Sequence, residues 1–130
     1  MDALSHDKQV ERFNFVAYGS LLALLGAFAS ATGVLVDAIE TNDLAKMRAS
    51  SLMYNVLREA ADRVPASGET MDFRKQLLEM LGDHLRYTDA ILTGSTDRAA
   101  SMRDISEGQL ILDLAFKRLG GRLGIRAREE

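Results

Sequence analysis

The chain of 130 residues contains no cysteine, no tryptophan, one proline and two histidines. The missing cysteines exclude disulfides, thiolate nucleophiles and cysteine-bound zinc or iron–sulfur clusters, but they leave the redox compartment open. With so little proline, and with plentiful Ala, Leu, Met, Arg and Glu, the composition favours helices over strands. We therefore predict an all-α fold, an antiparallel bundle of about four helices with one long apolar helix at the amino terminus.

An excess of positive charge is also missing, because the net charge is −3 and the isoelectric point is about 5.4. A chain that binds nucleic acid through its overall charge usually presents a basic face, so we expect no nucleic-acid partner. A helical domain of this length can bury a core without a metal or a cofactor, and we predict neither.

What the sequence does contain is a long uncharged stretch from Phe13 to Val36. As a helix, these roughly two dozen residues would be about 36 Å long, which is enough to cross the hydrocarbon core of a bilayer. Asp7 and Glu11 precede the stretch, unlike the basic start of a secretory signal peptide, so we expect the segment to be retained. The stretch is therefore a candidate transmembrane helix in contact with a lipid bilayer.

The change from uncharged to charge-rich sequence near Asp37 predicts two parts. Residues 1–36 form the candidate transmembrane helix, and residues 37–130 form a charged helical domain with a short basic carboxyl-terminal tail. Two basic residues shortly before the uncharged stretch are balanced by two shortly after it, so the positive charges leave the membrane topology open.

Small residues recur inside the uncharged stretch at alternating spacings of four and three. They are Gly19, Ala23, Gly26, Ser30 and Gly33. This repeat predicts a left-handed helix crossing of about +20°. Glycine costs helix stability in water, and close approach of a second helix is the usual compensation. We predict that this helix-packing seam binds another copy or a different protein; alternatively, the small residues line the centre of a soluble bundle.

Three further helices are predicted from apolar residues at spacings of three and four. The second begins after the turn Thr41–Asp43 and ends before Pro65. Its predicted buried residues are Met53, Val56, Leu57, Ala60, Ala61 and Val64.

The third and fourth helices are bounded by capping residues and glycines. Thr70 is expected to cap the third helix and Gly94 to end it. Ser95 or Thr96 is expected to cap the fourth helix, and Gly120–Gly121 to end it. The predicted buried residues of the third are Phe73, Leu77, Met80, Leu81, His84, Leu85, Thr88, Ile91 and Leu92. Those of the fourth are Met102, Ile105, Leu112, Ala115, Phe116 and Leu119.

Metal or acid–base chemistry would have to centre on His84. This histidine lies in an apolar helical stripe, where a structural role is the usual case. The Glu-x-x-His pairs of di-iron bundles are missing, since Leu81 stands three residues before His84. A b-type haem held by His84 and a methionine is a distant alternative. We predict no catalytic residue, no metal site and no small-molecule substrate.

Three arginines recur along the second helix and form a possible anion contact. They are Arg48, Arg58 and Arg63. The alternative is an ordinary solvated face, on which Arg58 and Asp62 form a pair four residues apart.

These features together predict a non-enzymatic, single-pass membrane protein that acts by protein–protein association. It would serve as an accessory subunit of a membrane complex or as a small sensor-like module. A membrane helix that leads into an antiparallel helical domain resembles, in architecture and not in motif, the sensor half of bacterial chemotaxis and nitrate-type receptors. The alternative is a soluble, cytoplasmic four-helix-bundle homo-oligomer with a structural or assembly role.

Overall fold

The computed structural model describes residues 3–94 and 97–125, with side chains from residue 7 onward. These residues form α1 (Ala3–Thr41), α2 (Leu44–Asp62), α3 (Glu69–Leu92) and α4 (Arg98–Arg122). Each helix packs against the next along the chain, and α4 packs back against α1, which closes a four-helix bundle. The prediction of an all-α fold with one long apolar amino-terminal helix is confirmed.

The connection between α1 and α2 is very short. It consists of Asn42, in the left-handed conformation with φ 57°, and Asp43, whose side chain caps α2 by accepting a hydrogen bond from the Lys46 amide at 3.1 Å. Asparagine tolerates this conformation better than most residues, which allows the chain to reverse within two residues. The predicted turn and the predicted end of α2 before Pro65 both agree with the structure.

The predicted cap of α3 is wrong. The helix begins at Glu69, after Gly68 with φ 55°, so Thr70 lies inside its first turn. The buried Thr70 hydroxyl accepts a hydrogen bond from the Ser67 amide and donates one to the Ser67 carbonyl. It therefore fastens the loop to the helix instead of capping the helix.

The start of α4 is capped by a residue that the sequence reading missed. Ser95 and Thr96, the predicted caps, lie outside the described residues. The Asp97 side chain accepts a hydrogen bond from the Ala99 amide at 3.0 Å, and this satisfies one free donor of the first turn.

The predicted end of α4 is also wrong, because the helix continues through Gly120 and Gly121 to Arg122. A Cβ atom at Gly120 would lie 3.2 Å from the Tyr18 hydroxyl, so this glycine allows α1 and α4 to approach each other. The residue that favours termination is Gly124, at φ 73°.

The core draws large side chains from all four helices. On α1 the fully buried ones include Leu21, Phe28 and Leu35. The α3 and α4 stripes follow the predicted spacing, with each predicted residue buried or half-buried. On α2 the register is partly wrong, since Val56 is 65% exposed and Tyr54 is fully buried. Tyr54 can enter the core because its hydroxyl lies 2.9 Å from the Thr32 hydroxyl, and each group satisfies the other.

The hydrogen bond between Thr32 and Tyr54 provides a test of the packing between α1 and α2. We expect Tyr54→Phe to lower the free energy of unfolding by about 1–2 kcal/mol, because it strands the Thr32 hydroxyl without opening a large cavity. Adding Thr32→Val removes the stranded partner, so the double variant should lose less than the sum of the single variants, with a coupling of roughly 1 kcal/mol. Urea unfolding of the three variants measures these losses. Additive losses would show that the two hydroxyls do not interact in solution.

Candidate interaction surface

All five residues of the helix-packing seam lie on the side of α1 that points away from the bundle, and all five are exposed. A Cβ atom built at Gly19, Gly26 or Gly33 meets no other heavy atom of the described residues within 4 Å. The three glycines are therefore not required by packing within one chain. The association of the seam with a second helix stays a prediction.

The two sides of α1 differ in the size of their residues and not in their polarity. The buried side carries large residues such as Leu21, Leu25 and Phe28. The outward side carries the glycine, alanine and serine of the seam over the same turns, with Leu22 beside them, within a stretch that has no charged residue. Large residues bury apolar area in the core, whereas small residues allow another backbone to come close.

Exposed apolar residues of α2 and α4 extend this surface on both sides. On the α2 side, Ala27 shares an apolar groove of about 340 Å³ with Leu52 and Val56, which are 67% and 65% exposed. On the α4 side, Gly33 lines a groove with Leu110, and the lining of this groove also includes the carboxylates of Asp37, Glu40 and Asp113. We call the outward side of α1 from Phe15 to Gly33, together with Leu52, Val56, Leu110 and Leu114, the outer face. A group of neighbouring exposed apolar residues marks an interaction site more often than single exposed residues do.

The sequence reading missed the contributions of α2 and α4 to the outer face. The sequence predicts Val56 inside the bundle, but its side chain is exposed. Leu110 and Leu114 do not belong to the predicted buried residues of α4, and they are exposed as well. The sequence does contain a signal for this surface. Large apolar residues that lie outside the buried stripe of a helix indicate that another surface covers them.

The ends of the outer face are charged. Arg12 lies seven residues before Gly19, in line with the seam, and Glu40 lies seven residues after Gly33. Asp37 continues the other row of the seam. Its Oδ2 atom forms an exposed ion pair with the Lys46 Nζ atom at 3.1 Å. The uncharged face therefore has a basic residue at its amino end and acidic residues at its carboxyl end.

The three predicted anion-binding arginines are exposed, but only Arg58 lines the groove between α2 and α3. This groove measures about 830 Å³ and contains two arginines and four carboxylates. The second arginine, Arg86, forms an ion pair with Asp83. This balance of charge does not favour an anion, and the predicted contact remains a prediction.

His84 lies at the centre of the bundle and is fully buried. Its ring packs against Phe28 of α1 and Tyr54 of α2, with centroid distances of 4.9 and 5.5 Å. From α4, Gly108 faces it: a Cβ there would lie 2.9 Å from the His84 Cε1 atom and 2.6 Å from the Met80 sulfur. The absence of a side chain at Gly108 therefore lets α4 close over the histidine.

The two ring nitrogens of His84 have no hydrogen-bond partner among the described residues. Burial lowers the pKa of His84 below its usual value of 6.5, while the nearby Ile105 and Met80 carbonyls and the Asp83 carboxylate oppose this shift. Burial also raises the pKa of Tyr54 to about 12. Both groups are therefore uncharged near neutral pH, as the apolar surroundings require.

Comparison of the chain with protein-family models, with curated proteins and with solved structures finds no match. The inferences about function therefore rest on the residues and on the geometry of the bundle.

The buried histidine predicts that acid destabilises the protein. An unfolded chain takes up a proton on His84 near pH 6.5, whereas the folded chain does so only at lower pH. The free energy of unfolding should therefore fall as the pH drops below 6.5. We expect a lower urea midpoint at about pH 5.5 than at about pH 7.5. In His84→Leu, which lacks this titration, the difference between the two pH values should shrink; an unchanged difference would rule His84 out as its source.

Proposed function

We propose that the protein acts by association and not by catalysis, as a four-helix bundle that forms homo-oligomers in solution and has a structural or assembly role. The observation that supports this proposal is the outer face, an exposed apolar surface that runs along α1 and includes neighbouring residues of α2 and α4. Exposure of such a surface to water is unfavourable, and its burial by a partner lowers the free energy of the system.

The packing of α1 favours this proposal over a membrane span. One side of the uncharged stretch lies in the same core as α2, α3 and α4. If α1 crossed a bilayer in this arrangement, its partners would enter the bilayer as well, together with exposed charged residues such as Arg58 and Glu59. Charged side chains are costly in the hydrocarbon core. A membrane span would therefore require α1 to leave the bundle.

A single-pass membrane anchor is the second candidate function. Within the described residues, Asp7–Thr41 is the one helix that is long and apolar enough to cross a membrane. Its exposed residues near the amino end include Phe13, Phe15 and Val16, which could contact lipid. In that case the seam would meet a membrane partner, as in an accessory subunit or a sensor-like module.

Fractionation of the full-length protein distinguishes the two candidates. We expect recovery without detergent, and we expect sedimentation equilibrium to give a mass of more than one chain, because the outer face is covered by another copy. Retention in the pellet after high salt and alkaline carbonate, with release by detergent, would instead support the membrane anchor.

Gly26→Leu tests whether the outer face is the surface of association. The new side chain would point away from the bundle into open space, so the fold of one chain should be unchanged. It would hold a second backbone apart, and we expect the dissociation constant to rise about tenfold or more. Sedimentation measures the association, and circular dichroism checks the fold.

A matched control is Gly82→Leu, the same exchange on α3. A Cβ at this position meets only the end of the Arg86 side chain, at 3.7 Å, and it lies in the groove between α2 and α3. Its association should equal that of the unaltered chain. Leu25→Ala is unsuitable as a control because Leu25 belongs to the core. Equal association of Gly26→Leu and Gly82→Leu would contradict the proposal.

A further inference from the structure

We infer that two copies of the chain pair in antiparallel orientation through α1, about a two-fold axis at the level of Leu24 and Leu25. This inference rests on the proposed function and adds to it the orientation and the register of the contact. It draws on the symmetry of the seam, on the charges at its ends and on the apolar residues beside it.

With the exposed Val16 counted as its first position, the seam has the same spacing when it is read from either end. The exposed Val16 extends it by one position on the amino side, and its midpoint then lies between Leu24 and Leu25. In an antiparallel pair centred there, each residue of one row meets a residue of the other row. The facing pairs are Val16 with Gly33, Gly19 with Ser30, and Ala23 with Gly26. Every layer then contains at least one glycine, so the two backbones can remain close along the whole seam.

The same centre brings opposite charges together at both ends. Arg12 of one copy lies opposite Asp37 of the partner subunit, a carboxylate that also pairs with Lys46 of its own chain, and the two-fold axis repeats this arrangement at the other end. A parallel pair would instead place Arg12 beside its own counterpart and Asp37 beside its own. Exposed ion pairs add little affinity, but unfavourable pairing of like charges selects against the wrong orientation.

The residues beside the seam complete the contact. Ala27 lies on the α2 side of the seam and Ala29 on the α4 side. Like sides face each other in an antiparallel two-fold pair, so α2 lies opposite α2 and α4 opposite α4. Leu52 and Val56, which lie beside Ala27 near the axis, then approach their own counterparts. These large side chains supply the apolar area that a glycine-rich seam lacks.

Orientation also separates this arrangement from pairing in a membrane. If all copies of a single-pass protein enter a bilayer in the same direction, their helices pair in parallel. An antiparallel contact is therefore expected of two bundles that meet in water.

Cysteine cross-linking of the full-length chain tests the register, and the natural chain contains no cysteine that could interfere. Gly19→Cys and Ser30→Cys are prepared separately, since both positions are exposed. In the antiparallel register, positions 19 and 30 face each other, whereas two copies of position 19 lie about 16 Å apart along the axis. A disulfide needs Cα atoms within about 7 Å, so an equal mixture should give about tenfold more cross-linked dimer than either variant alone.

Each outcome of the experiment has a distinct meaning. Cross-linking in the mixture alone supports the antiparallel pair. Cross-linking of each variant with itself overturns the orientation but leaves association, and so the proposed function, in place. If the mixture gives no more dimer than Gly82→Cys, the contact is refuted; sedimentation of the unaltered chain as a monomer would in addition refute the proposed function.

Discussion

The contact among Phe28, Tyr54 and His84 joins three helices at the middle of the bundle, and the bare backbone at Gly108 lets the fourth close over it. The cluster holds polar atoms in an apolar place. The phenol is satisfied by a hydroxyl from α1, and the imidazole avoids the larger cost of a buried charge by remaining uncharged. The positions of the helices around this cluster decide which side of α1 enters the core and which side remains outside.

That division gives α1 two surfaces of different use. Large residues such as Leu21, Phe28 and Leu35 lie in the core, and the small residues of the seam lie in solvent, although both sets belong to one uncharged stretch. A helix that served only the core would normally place charged or polar residues outside. Packing within a single chain does not explain why the outer side of α1 is uncharged. This feature is the reason that the proposed function is association.

Much of the fold could be predicted from the sequence, because proline, glycine and the helical period mark the elements directly. The candidate surface could be predicted only in part. Spacing showed that the seam residues share one side of a helix, but not whether that side lies in the core, since both sides of α1 are uncharged. The inward place of Tyr54 depends on a hydroxyl 22 residues earlier in the chain, and no local pattern reports it. Likewise, Gly120 is typical of a helix end when only the sequence is considered. In the structure it lies inside α4, where the absence of a side chain makes room for the ring of Tyr18.

The turn at Asn42 and Asp43 also limits how far the parts of the molecule can separate. Two residues span at most about 7 Å when fully extended. The amino end of α2 therefore stays close to the carboxyl end of α1, wherever that end is placed. Any rearrangement that carries α1 to a new environment must bring Lys46 and Arg48 to its border. The position of the long helix and that of the first charged turn after it are consequently not independent.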